Sequence, residues 1–303
     1  MKKQIQQIVS KHINSALIDI SPLTGGEAAS VFNIRTDSEE LCLKLYPFDE
    51  NKSESGMESK LMKELGKMGI GVPRPLFSGK LVINEGDERE YLIMSFEKGM
   101  LLSEKWPSLD KRQKESYLRS LLEMLDRISH VKVSDYGPLD QNLRGLCSSP
   151  SLYMQHEIEK LEKSEAFSQV KKTVYDRAKK RLLDFSPSLI KPGYVHADFR
   201  LRNIIAKGND LVLIDFANSM SMDPTFDFVR FILTDFSNEG ELNDEGRFLE
   251  KLYLRDYYKG SNYENDKSFY LLLLSFRLIP WFHYAKEKSL LEFYLRLMED
   301  HSG

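Results

Sequence analysis

The sequence predicts an α+β chain in two parts: a small strand-rich N-terminal region and a larger, mainly helical C-terminal one. Three observations predict it. Alternating or β-branched apolar runs such as Leu41-Cys42-Leu43-Lys44-Leu45-Tyr46 and Tyr91-Leu92-Ile93-Met94-Ser95 stand before residue 97. Beyond it, apolar residues fall at helical spacing, as at Leu118, Leu121, Leu122, Leu125 and Ile128. A hairpin pattern then interrupts the helical part, with Asn203-Ile204-Ile205-Ala206 and Leu211-Val212-Leu213-Ile214-Asp215 flanking the turn formers Lys207-Gly208-Asn209-Asp210. The expected boundary lies between a region 1–96 and a region 97–303.

Taken in order, Leu23-Thr24-Gly25-Gly26-Glu27-Ala28-Ala29-Ser30-Val31-Phe32 is a small-residue run between strand-like segments. Its backbone N–H groups suit contact with phosphates, and a plain hairpin turn is the other reading. In the next strand Leu41, Leu43 and Leu45 share one face, and Cys42, Lys44 and Tyr46 the other. On residue type alone, Lys44 also fits a solvent-facing lysine on a half-buried strand. Residues 55–68 follow as an amphipathic helix with Leu61, Met62, Leu65 and Met68 inward, stopped by Gly69, Gly71 and Pro73. Glu58 lies on its inward face, where a carboxylate needs a partner, and Lys44 is the natural one. A shift of helix phase would put Glu54 or Glu64 there instead.

The strand at Tyr91–Ser95 runs into Phe96-Glu97-Lys98-Gly99, a polar exit that also fits an edge strand with no ligand. The helix through Leu118 to Ile128 ends in His130, read as a packing residue. Residues 152–184 are highly charged with periodic apolar positions and are expected as exposed helices, the charge pattern alone predicting a solvated face.

The hairpin carries the chemistry. Asn203 opens its first strand and Asp215 closes its second, so the antiparallel pairing brings both out at the same open end. Asp198, five residues before Asn203, sits in a loop able to bring a second carboxylate there. Hard oxygen ligands of this kind suit Mg²⁺, which retains waters and takes further ligands from phosphates. ATP-dependent phosphorylation is therefore the leading reading.

The pattern His196-x-Asp198-x₄-Asn203, followed by Ile214-Asp215-Phe216, resembles the motif of the aminoglycoside phosphotransferase and choline kinase-like family, which shares the bilobal protein-kinase-like fold. The resemblance implies that Asp198 accepts or orients the proton of a substrate hydroxyl, while Asn203 and Asp215 hold Mg²⁺ at the phosphates. It implies that Lys44 reaches the α- and β-phosphates of ATP or GTP, with Glu58 as its ion-pair partner. Gly25, Gly26 and Ser30 would cover the phosphates, Cys42 and Met94 would lie near the adenine, and the Ser95 carbonyl and Glu97 amide would bond its edge. Asp223-Pro224-x-x-Asp227 is similar to the family's downstream segment, which makes Asp227 a scaffold residue for the catalytic loop, with His196 also structural. The chain departs from the family at Ala197, where Gly is common, and at Arg200, Arg202 and Ala217.

Composition narrows the classes. With 303 residues and 41% hydrophobic content the chain is long enough for two real cores. Lys and Arg total 43 against 46 Asp and Glu, a net charge of −3, which argues against a nucleic-acid partner. Two cysteines, Cys42 and Cys147, make no disulfide framework and point to a reducing compartment. The N-terminus lacks the apolar core of a signal peptide, and the longest apolar stretch, 269–281, is interrupted by Arg277; the expectation is a cytoplasmic protein with no membrane segment.

The acceptor is less legible. Asp235, Glu239, Glu241, Asp244 and Glu245 form an acidic run that suits a polycationic aminoglycoside or a solvated loop. Trp281, Phe282, His283 and Tyr284 suit a pocket wall or helical core. Arg200 and Arg202 suit contacts to phosphate or an anionic acceptor, or support of the loop through salt bridges to neighbouring acids. The expected function is phosphoryl transfer from a nucleoside triphosphate to a hydroxyl of a small molecule, an antibiotic, sugar or amino alcohol. The alternative is a catalytically silent kinase-like nucleotide-binding scaffold. A protein kinase is disfavoured because no Ala-Pro-Glu segment follows Asp215 at activation-loop distance.

Overall fold

The computed structural model describes residues 2–13, 15–23, 29–49, 53–84, 87–184, 191–208 and 210–303. In chain order its elements are α1 (Lys2–His12), β1 (Leu17–Pro22), β2 (Ser30–Thr36), β3 (Glu40–Pro47), α2 (Glu54–Lys67), β4 (Pro75–Asn84), β5 (Asp87–Ser95), β6 (Met100–Leu101) and α3 (Leu102–Lys105). Then come α4 (Lys111–Ser129), β7 (Tyr136–Leu139), β8 (Gly145–Cys147), α5 (Pro150–Glu162), α6 (Lys172–Asp184), β9 (Gly193–Val195), β10 (Ile204–Lys207), β11 (Asp210–Leu213) and β12 (Met220–Met222). The chain closes with α7 (Thr225–Asp235), β13 (Ser237–Asn238), β14 (Glu241–Leu242), α8 (Asp244–Asp256), α9 (Tyr263–Tyr284) and α10 (Lys288–Asp300). By contact density the chain divides into two units, residues 1–108, 139–143 and 201–217 in one and the remainder in the other.

In the first unit an antiparallel sheet runs β1-β2-β3-β5-β4. The alternation of β3 is realised: Leu41, Leu43 and Leu45 join Ile34, Tyr91 and Ile93 in a core that α1 covers with Ile5, Ile8 and Val9. Full burial of an aliphatic side chain of this size contributes about 1.5–3 kcal/mol. The other face is covered as well, since Cys42, Lys44 and Tyr46 are all buried, so Lys44 is no solvent-facing lysine. β5 pairs with β3 on one side and β4 on the other, which makes it an interior strand and removes the edge-strand reading.

Ser53 caps α2 by accepting from the Gly56 N–H. The helix buries Met57, Glu58, Leu61, Met62 and Leu65. Met68 forms its C-cap rather than its inward face, because Gly69 takes a left-handed φ of 70° and ends the turn. The hairpin of β10 and β11 is in the expected register, Ile204 opposite Leu213 and Lys207 opposite Asp210. It packs closely on the chain after α2: the Leu213 N–H donates to the Gly71 carbonyl at 2.8 Å, and a Cβ at Gly71 would collide with the Leu211 carbonyl oxygen.

The second unit is helical around a short sheet, β8-β7-β12-β9. Asp110 and Gln113 form a reciprocal capping box at the start of α4, which ends at His130 as the sequence predicts. The core centres on α9, which buries Phe269, Leu272, Leu273, Leu274, Phe276 and Ile279. α5 and α6 differ from the expected exposed helices. Their apolar stripes, Tyr153, Met154, Ile158 and Leu161 on α5 and Val174, Tyr175, Ala178 and Leu182 on α6, belong to this core. Arg277, which interrupts the apolar stretch of α9, sits 3.4 Å from Glu157 and also bonds the Tyr153 hydroxyl. Among the described residues no helix is long and apolar enough to cross a membrane.

Candidate active site

The first unit assembles one group of predicted residues. Strand alternation turns Lys44 off the α1 side of the sheet, and its Nζ donates to both Glu58 carboxylate oxygens at 2.9 Å. Helix phase therefore selects Glu58; Glu64 instead pairs at the surface with Lys67. Lys44 Nζ also reaches Asp215 Oδ1 at 3.3 Å, joining residues 171 positions apart. Burial alone would lower the Lys44 pKa, but the Glu58 and Asp215 carboxylates outweigh it and hold the ammonium charged, above the ordinary lysine range.

At the open end of the hairpin the Ile214 N–H donates to the Asn203 carbonyl at 2.9 Å. Asn203 ends a 3₁₀ turn rather than opening the strand, and it is buried. Asp215 follows in a left-handed conformation, φ 65°, which an Asp tolerates better than most residues. Its side chain keeps 42% of its surface exposed beside Lys44. An amide oxygen and a half-open carboxylate are hard donors, and the pair fits a magnesium ion better than a softer metal.

The residues expected beside a nucleotide fall as follows. Cys42 lies opposite Met94 across β3 and β5, and both are buried; burial pushes the Cys42 thiol up to about 12, so it stays protonated. Ser95 accepts from the Arg74 N–H through its hydroxyl at 2.8 Å and donates to Glu97 Oε1 at 2.6 Å. Glu97 Oε2 in turn meets Lys207 Nζ at 3.4 Å. These side chains thus brace the segment after β5. Ser30 begins β2 opposite Leu45 and is exposed. Gly25 and Gly26 lie outside the described residues, as does Asn209 of the hairpin turn.

The second unit holds the loop His196-Ala197-Asp198-Phe199-Arg200, and α7 reads it residue by residue. Asp227 accepts from the His196 N–H at 2.6 Å and the Ala197 N–H at 2.7 Å. Arg230 donates to Asp198 Oδ1 at 2.6 Å. The Phe231 ring meets the Phe199 ring edge-on at 5.1 Å. Asp235 lies 3.7 Å from Arg200 Nε. Positions 227, 230, 231 and 235 recur at helical spacing and share one face. The sequence points to Asp227 here and places Asp235 only in the acidic run; Arg230 and Phe231 were missed, although their spacing from Asp227 was the available signal.

Burial pushes Asp227 up to about 7, against the two backbone hydrogen bonds and Arg230, which favour its charged form. Ala197 is left-handed, φ 57°, the conformation that explains why glycine suits the position. Of the acidic run, Asp244 pairs at the surface with Arg247 at 2.5 Å and Glu245 with Lys114 at 3.0 Å, while Glu239 and Glu241 are exposed. Of the aromatic segment, Phe282 packs on the core, whereas Trp281 and Tyr284 are exposed.

Similarity to known proteins is broad in fold. The sequence profile of the phosphotransferase enzyme family matches residues 19–260. No curated protein matches the chain in sequence. Among solved structures, aminoglycoside phosphotransferase APH(4)-Ia superposes with a TM-score of 0.73 at 14% identity, over 100% of this chain and 98% of its own. The amicoumacin kinase hAmiN, in complex with AMP-PNP, Ca²⁺ and Ami, gives 0.67 at 15%, over 99% and 96%. Spectinomycin phosphotransferase APH(9)-Ia, in complex with ADP and spectinomycin, gives 0.64 at 14%, over 98% and 93%. At these identities the likeness is one of fold.

Proposed function

The chain belongs to the phosphotransferase enzyme family and is a small-molecule phosphotransferase of the kinase-like fold; we propose that it transfers the γ-phosphoryl group of ATP or GTP to a hydroxyl. The observation that carries this reading is the buried Lys44–Glu58 pair extended to Asp215. A lysine fixed and charged in this way is a phosphate anchor already aligned before the nucleotide arrives, and phosphoryl transfer depends mainly on such positioning and charge stabilisation.

In this reading Lys44 contacts the α- and β-phosphates. Cys42, Met94 and the backbone of Ser95 and Glu97 face the nucleobase, and Gly25, Gly26 and Ser30 border the phosphates. Asn203 and Asp215 would hold Mg²⁺, which when bound neutralises phosphate charge. Asp198 accepts or orients the proton of the acceptor hydroxyl. Asp227 and His196 hold the loop that presents it. Region 1–96 then covers the nucleotide, and region 97–303 supplies the catalytic loop, the metal site and the acceptor pocket. The nucleotide and antibiotic complexes of the similar structures support a nucleotide donor and a small organic acceptor.

The test is release of nucleoside diphosphate from Mg-ATP and Mg-GTP against aminoglycosides, macrolides, sugars, amino alcohols and hydroxy acids, with Asp198→Asn as control. Acceptor-dependent release that disappears in the variant is expected. Tight Mg-nucleotide binding with no release from any acceptor would favour a silent nucleotide-binding protein instead.

A further inference from the structure

The face of α7 that reads the loop carries more donors than the loop uses. Arg230 is 8% exposed and donates one N–H to Asp198, yet its Nε is buried with no hydrogen-bond partner. Arg200 repeats the pattern. Its Nε is buried and unpartnered, and the nearest carboxylate oxygen, on Asp235, is 3.7 Å away, beyond hydrogen-bond distance. Tyr294 of α10 is buried within electrostatic reach of Arg230, Arg200 and Asp198.

A guanidinium keeps its charge, and a buried N–H without an acceptor is destabilising, so such donors are expected to be completed by something that binds. Planar forks of this kind suit carboxylate or phosphate. Of the acids that would welcome a polycation, Glu245 is paired with Lys114 and Asp235 faces Arg200.

We propose that the acceptor carries an anionic group, a carboxylate or a phosphate, close to the hydroxyl that is phosphorylated, and that Arg200 with Arg230 recognises it beside Asp198. The proposal rests on the phosphotransferase reading, in which Asp198 meets the acceptor hydroxyl. It separates this chain by substrate class from a phosphotransferase built for a polycationic acceptor, whose amino groups would meet two guanidinium ions here. Arg230 also orients Asp198, whereas Arg200 is free of that duty and is the cleaner position to change.

The test is thermal stabilisation of the full chain by D-gluconate, D-glucose 6-phosphate, D-glucose, D-glucosamine and kanamycin at constant ionic strength, for the natural protein, Arg200→Gln and Arg200→Lys. The two anions should stabilise the natural protein more than the neutral and cationic probes. That difference should vanish in Arg200→Gln and return in part in Arg200→Lys, with Mg-AMP-PNP affinity changed less than about threefold, under 1 kcal/mol. No advantage of the anions over D-glucose, or an advantage that survives in Arg200→Gln, would overturn the proposal. A loss confined to Mg-AMP-PNP affinity would assign Arg200 to the donor's phosphate and overturn it too. Turnover of kanamycin without an anion effect would leave the kinase standing and remove the anionic acceptor; Arg200-dependent anion binding without turnover of any acceptor would do the reverse.

Discussion

The Lys44–Glu58–Asp215 group and the loop along α7 solve the same problem, holding charge away from water, in opposite ways. The first is built from a strand, a helix and the end of a hairpin, and its buried ammonium is neutralised by a bidentate carboxylate and a second acid. The second is built from one helix face, and it leaves the Nε atoms of Arg200 and Arg230 without partners. A closed network is rigid and prearranged, which suits the phosphates that every cycle brings. An incomplete one stays ready for a group the protein does not itself supply.

The largest effect that would test this contrast is on stability. Lys44→Met leaves Glu58, 1% exposed, as a buried carboxylate without its lysine, and should cost roughly 3–5 kcal/mol in urea unfolding. Lys44→Met with Glu58→Leu should recover much of that loss, because no charge remains buried. A single variant that loses less than about 1 kcal/mol would show that the pair is not closed in the sense argued.

A smaller effect is expected at Asp227. Its folded pKa of about 7 lies above the unfolded value near 4, so the folded chain binds more protons between those limits. Its contribution is therefore full below about pH 4 and is lost as the pH rises through about 7. The stability difference between the natural protein and Asp227→Asn, followed by thermal unfolding, should shift against the natural protein across that window. A shift in its favour would mean that the two backbone hydrogen bonds and Arg230 outweigh burial.

The smallest effect concerns two left-handed residues, Asp215 beside Lys44 and Ala197 in the loop. Asp215 tolerates that conformation, whereas Ala197 does not, so Ala197→Gly should stabilise by about 1 kcal/mol and raise the melting temperature by a few degrees. An unchanged or lower melting temperature would show that the surrounding loop already absorbs the strain.

Legibility followed the same division. The hairpin register was readable because strand alternation acts over a few residues and leaves one geometric answer; helix phase pointed to Glu58 with Glu54 and Glu64 still open, and the structure selects Glu58. The fold class followed from the same periodicities. Arg230 and Phe231 stand at helical spacing from Asp227, but α7 is buried at every position from Thr225 to Leu233, so no polar stripe marks which face meets the loop. Glu157 and Arg277 were missed for a related reason. On a charged helix an acid reads as solvated, and only the packing of α5 on α9 shows it buried at 1% exposure.

In the proposed mechanism Asp198 serves the transfer while Asp215 serves the metal and nucleotide. Calorimetric Mg-ATP affinity and single-turnover phosphoryl transfer, measured on the same preparations of Asp198→Asn and Asp215→Ala, separate the two roles. Asp198→Asn is expected to keep Mg-ATP affinity within about threefold while turnover falls by roughly 10²–10⁴. Asp215→Ala is expected to lose Mg²⁺-dependent affinity. Near-natural turnover in Asp198→Asn, or unchanged Mg-ATP affinity in Asp215→Ala, would contradict it.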